Sequence, residues 1–147
     1  MTIYSCLAEG FPNQDKMNCA EQLLNAANIA YNMNLSKDAC KLSAGFGGGM
    51  GIMSVCGAVT SGSMVLSHLF VNEYAHEGTK EIARLTREFI KQTEESMSSY
   101  ICRDLRGKYR TPEAGCKYTI EGVAKALDKV IEEEYARRAD TQTEKTV

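Results

Sequence analysis

Apolar residues recur at helical spacing along most of the chain. Between Asn13 and Met33, the residues Cys19, Leu23, Ala26, Ala27, Ala30 and Tyr31 form one stripe. That spacing predicts a first long helix, with Asn13 or Asp15 capping its start. Ser36 reads as the N-cap of a short helix ending near Ala44. Small residues (Gly57, Ala58, Ser61, Gly62) mark a third helix from Cys56 to Val71, on which a neighbouring helix or a cofactor could come close. A fourth runs from Gly78 to Tyr100, with Ile82, Leu85, Phe89 and Ile90 facing in and Lys80, Glu81, Arg84, Arg87, Glu88 and Lys91 facing water. The last runs from Cys116 to Arg138 on a stripe of Ile120, Val123, Ala124, Leu127, Val130 and Ile131. The expected fold is all-α, a compact bundle of about five helices with a glycine-rich loop before the third. Residues 1–139 read as a single helical domain and 140–147 as a flexible polar tail.

Composition agrees with this and narrows the function. The chain has 147 residues with 44% apolar side chains, enough for a core that needs no disulfides. With 17 basic and 19 acidic residues the net charge is −2, which argues against nucleic acid or an anionic membrane surface as partner. The longest weakly polar stretch, Gly57 to Val71, is interrupted by serine, threonine and His68, so no membrane insertion is expected. No secretory signal is read at the N-terminus, and the expected compartment is the cytoplasm.

In a reducing compartment six cysteines, at positions 6, 19, 40, 56, 102 and 116, point to metal binding or thiol redox rather than to a disulfide framework. Each one taken alone reads more readily as a small buried hydrophobe, but all six together do not. Cys56 and Cys116 open helices, where unpaired amides favour a thiolate. Cys19 lies early in the first helix, and Cys102 follows the fourth. No C-x-x-C occurs, which removes the thioredoxin-like and zinc-ribbon readings.

The run Gly45-Phe46-Gly47-Gly48-Gly49-Met50-Gly51 suits neither helix nor strand. It lacks the lysine of a phosphate loop and follows a helix, so no nucleotide is expected. Beside a cysteine it fits backbone amides approaching a thiolate or cofactor, through Gly47, Gly48, Gly49, Gly51 and Gly57. His68 reads as a buried, hydrogen-bonded residue and His76 as a solvated one. Met50, Met53 and Met64 read as core filler rather than metal ligands.

Taken together, Asn18-Cys19-Ala20-Glu21-Gln22, the glycine run, Cys56-Gly57-Ala58-Val59-Thr60, Cys102-Arg103-Asp104-Leu105 and Cys116 resemble the redox-active family C_GCAxxG_C_C. The resemblance covers about Asn13 to Ile131. Its four defining cysteines map onto Cys19, Cys56, Cys102 and Cys116, and leave Cys6 and Cys40 incidental. One departure is Ser61, which stands where the family has glycine, with Gly62 next. A related domain occurs in split-Soret cytochromes, which hold an iron–sulfur cluster beside haems. This chain has no C-x-x-C-H, so no covalent haem is implied. The resemblance implies a redox or electron-transfer protein with an unidentified redox partner. Its four cysteines would serve as iron–sulfur ligands or as reversible disulfides. The alternative is a non-redox metal-binding or transporter-accessory module. A homodimer stays open, through the small-residue face of the third helix.

Overall fold

A computed structural model of the chain describes residues 1–77 and 81–146. Among the described residues there are seven α-helices and no strand. They are α1 (Ile3–Glu9), α2 (Cys19–Ala30), α3 (Lys37–Lys41), α4 (Gly57–Phe70), α5 (Glu81–Met97), α6 (Cys102–Tyr109) and α7 (Lys117–Thr146). The all-α expectation holds, but the count of about five does not.

The two additional helices, α1 and α6, are short. For α1, Thr2 and Ser5 form a reciprocal capping box. The buried Asp128 of α7 then accepts the amides of Ile3 and Tyr4 at 2.9 and 3.0 Å. Asp128 also accepts the Tyr31 hydroxyl at 2.8 Å. One carboxylate thus ties α1 and the end of α2 to α7. The second additional helix, α6, is separated from α5 at Ser98, whose left-handed φ of 74° ends the helix where the pattern suggested continuation to Tyr100.

Helix α2 starts later than expected. Asn13 has φ 66° and lies outside the helix, and the cap is Asn18, paired with Glu21 in a second capping box. Ser36 caps α3 as expected. The expected start at Gly78 and the outward Lys80 lie outside the described residues, as does Val147. At the other end α7 continues through Thr146, into the segment read as a tail. No proline or glycine after Gly122 interrupts it.

The core lies between α2, α4, α5 and α7. Leu23, Leu24, Val59, Leu66, Leu85, Phe89, Val123, Leu127 and Ile131 are all buried. The small face of α4 is filled by its neighbours: a Cβ added at Gly62 would stand 2.5 Å from the Phe89 ring. Buried Glu134 pins the far end of the bundle, bonded to Arg84, Arg137 and Arg138. His68 is exposed on α4, against the expectation of a buried histidine, because Ala58, Ser61, Val65 and Leu66 already fill the inward face. His76 is exposed in a turn, as expected. No helix among the described residues is long and apolar enough to cross a membrane.

Gly62→Ala should destabilise the fold by about 1–3 kcal/mol through overpacking against Phe89, read as a fall in denaturation midpoint. A variant as stable as the parent would show that α4 and α5 pack less closely than described.

Candidate thiol site

Four separate elements deliver the four cysteines singled out above. Cys19 is the first residue of α2, just after the Asn18 cap. The Asn18 side chain accepts the Glu21 amide, and its own amide group donates to the Ala44 carbonyl at 2.8 Å. The cap therefore holds the start of the glycine segment. Gly47 lies against the same Asn18 side chain, with no room for a Cβ.

Cys56 immediately precedes α4 and Cys102 opens α6. A single antiparallel bridge, Val55 with Ile101, puts these two side by side. In it the Cys56 amide donates to the Tyr100 carbonyl at 2.9 Å, and the Cys102 amide to the Ser54 carbonyl at 2.7 Å. Gly49 closes behind them, its carbonyl accepting the Ser54 amide at 3.0 Å. Its φ is 61°, and an added Cβ would stand 2.8 Å from the Cys102 Cβ. Position 49 thus requires glycine twice over, by backbone conformation and by space. Gly57 is constrained by space: a Cβ there would stand 2.8 Å from the Cys19 sulfur. Cys116 is set at the head of α7 by a tight turn in which the Gly115 amide donates to the Thr111 carbonyl at 2.8 Å.

These four cysteines, with Gly48, Leu105, Arg106 and Thr119, line one small void of about 20 Å³, enough for about one water. Cys56 and Cys102 are buried, whereas Cys19 and Cys116 are half-buried. The latter two also line an open cleft of about 650 Å³ on the solvent side. Cys6 and Cys40 are buried in the hydrophobic core and line neither space.

The glycines divide. Gly48 lines the void, Gly49 and Gly57 back its cysteines, and Gly47 packs on Asn18. Gly51 faces solvent with nothing within 4 Å of an added Cβ. Met50 and Met53 are exposed, not core filler, because left-handed residues turn the 49–53 segment outward. Met64 does pack on the core.

Two residues of the void were not singled out in the sequence. The Arg106 Nε and the Thr119 Oγ1 are buried and have no hydrogen-bond partner. Thr119 sits in the first turn of α7, where a threonine hydroxyl lacks the helical carbonyl four residues back. The signal was positional: Arg106 is one helical turn beyond Cys102, and Thr119 one turn beyond Cys116, so each shares a face with a site cysteine.

Burial dominates the thiol chemistry. It pushes Cys56 up to about 12, with the nearby Cys19 and Cys102 adding to the rise and the Ala58 and Val59 amides of α4 opposing it. The helix start expected to favour a Cys56 thiolate is present but outweighed by desolvation. Burial also raises Cys19, and the amides of Gly48 and Ala20 pull against it. Among the described residues, no three His, Cys, Asp or Glu side chains come close enough together to share one metal ion.

A raised thiol pKa stabilises the fold while the thiol stays protonated. The metal-free, reduced protein should therefore lose stability as pH climbs from about 9, where the unfolded chain ionises, towards about 12. Cys56→Ser should flatten that loss and remove a thiolate ultraviolet step above pH 10. A Cys56 step near neutral pH would contradict the burial described.

Residues 17–130 match the sequence profile of the family described as "Putative redox-active protein (C_GCAxxG_C_C)". No curated protein and no solved structure matches the chain.

Proposed function

The chain belongs to the C_GCAxxG_C_C family of redox-active proteins, and from that premise we propose that Cys19, Cys56, Cys102 and Cys116 ligate an iron–sulfur cluster for electron transfer. One observation carries this reading. Four thiols surround a single void whose wall also contains two buried polar groups, Arg106 Nε and Thr119 Oγ1, with no protein partner. Unmade buried hydrogen bonds cost about 1–3 kcal/mol each, so such groups imply an occupant that accepts from them. Anionic sulfur does so. Four thiolates also match the usual ligand number of a cluster.

When bound, such a group supplies one-electron storage at a potential set by burial and by hydrogen bonds to sulfur. The protein's own part is to hold that environment. Arg106 offsets negative charge, Thr119 donates its hydroxyl proton, and Gly48 brings a backbone amide to the Cys19 side. The void is smaller than a cluster core, and no three of its side chains stand close enough to share one metal ion, so holding a cluster requires the cysteines around it to rearrange.

A second reading has its own support. Cys19 and Cys116 line the open cleft as well as the void, so they can meet an external disulfide or thiol. In that reading Cys19 and Cys116 form one disulfide by exchange, and the external disulfide takes up the two electrons and two protons and leaves as two thiols.

Iron and acid-labile sulfide assays on anaerobically purified protein decide between them. The cluster reading expects both elements and a visible absorption band bleached by reductant. Cys56→Ser or Cys102→Ser should weaken iron retention roughly tenfold or more, while Cys6→Ser and Cys40→Ser should not. Thr119→Val should keep its iron and move the midpoint potential to a more negative value, since one donor to the reduced form is gone. Iron-free protein after reconstitution, with a reversible dithiol titration, would replace the cluster by disulfides. Zinc, with thiols that resist mild oxidation, would favour the non-redox metal module.

A further inference from the structure

The open cleft above the thiols has a character that the chain as a whole does not. The protein carries a net charge of −2, yet three cationic side chains (Arg106, Arg110 and Lys117) and one carboxylate (Asp15) line this cleft. Among the described residues none of the three cations makes an ion pair. At the far end of the bundle, by contrast, Arg84, Arg137 and Arg138 all pair with Glu134, while Arg87 and Arg103 make no ion pair among the described residues. Unpaired cations gathered in a concavity raise the local concentration of anions.

Position strengthens the point. Arg106 lines the thiol void and the cleft together, and Arg110 follows it by one helical turn. Cys19 and Cys116 line both the cleft and the void, and so form the floor of the cleft. Phe11, Met17 and Ile120 supply an apolar wall. The cleft, open to solvent, has a volume of about 650 Å³, room for a small molecule; what sets it apart is its lining.

We propose that this cleft binds a small organic anion, its oxyanion head held by Arg110, Lys117 and the outer face of Arg106 and its apolar body against Phe11 and Ile120, in contact with Cys19 and Cys116. Planar guanidinium groups suit carboxylate or phosphate oxygens through paired hydrogen bonds. The proposal rests on the preceding reading only for the redox role of the floor. Binding itself needs neither iron nor disulfide.

Phenyl phosphate, inorganic phosphate, benzoate and uncharged phenol, titrated calorimetrically into the purified full-length protein, test the site. Iron is measured in the same samples. Saturable binding is expected for phenyl phosphate or benzoate, tighter than for inorganic phosphate, with none for phenol. The ratio of the first two separates a phosphate from a carboxylate head. Arg110→Gln and Lys117→Gln should each weaken binding roughly fivefold, and raised salt should weaken it further. Asp15→Asn should tighten it. All three positions are exposed, so these variants should fold and keep the parent's iron content. Binding without iron would uphold the cleft while the cluster reading fails. No saturable binding, or equal binding by the parent and both cation variants, would overturn the proposal whatever the iron content.

Discussion

Two backbone hydrogen bonds, from Cys56 to Tyr100 and from Cys102 to Ser54, hold the thiol site together. They join segments far apart in the chain, so their loop-closure cost falls on the fold as a whole. Everything near them is shaped to let them form. Gly49 is left-handed and bare so that Cys102 can come up behind Ser54. Ser98 breaks the chain after α5 so that Tyr100 and Ile101 can extend alongside Val55. In a protein otherwise built of helices, this short bridge is the part that cannot be exchanged for another packing.

The bridge also creates an electrostatic problem. Cys56 and Cys102 are buried beside each other, and the charge of any one thiolate discourages its neighbours. Cys19 feels both Cys116 and Cys102 in the same way. Four ionised sulfurs around one small void therefore require compensating positive charge. The protein offers one cation at the void, Arg106, together with backbone amides from the glycine segment and the starts of α2 and α4. Without further positive charge the burial effect wins at Cys19 and Cys56, which is why Cys56 lies so far above an ordinary thiol. Metal cations are the natural remaining source of charge. The same Arg106 reaches the outer cleft, so the charge balance of the thiols and that of any anion bound above them are linked through one side chain.

The long helices were legible because their apolar stripes are regular. Each residue of the predicted α7 stripe, from Ile120 to Ile131, is buried. What the pattern missed was short or non-local. The start of α1 is completed by Asp128, over a hundred residues away, and no local pattern could announce it. The start of α2 was misplaced although Asn18 and Glu21 carried the capping signal, because Asn13 and Asp15 offered competing caps. His68, Met50 and Met53 were placed inside on hydrophobic company alone. The backbone turned them outward, through the crowded inner face of α4 and the left-handed residues of the glycine turn.

By itself, the amino-acid sequence determined that the protein is helical, that regular core stripes lie on its long helices, and which four of the six cysteines fall in the family motif. Those properties follow from residue spacing along single helices and from a motif read in order. Only the tertiary structure decided that the four thiols share one void, that two of them open onto a cationic cleft, and that Arg106 and Thr119 stand there unpartnered. These depend on contacts between segments that sequence spacing does not encode. Desolvation, which reverses the thiolate preference expected at the start of α4, likewise exists only once the chain is packed.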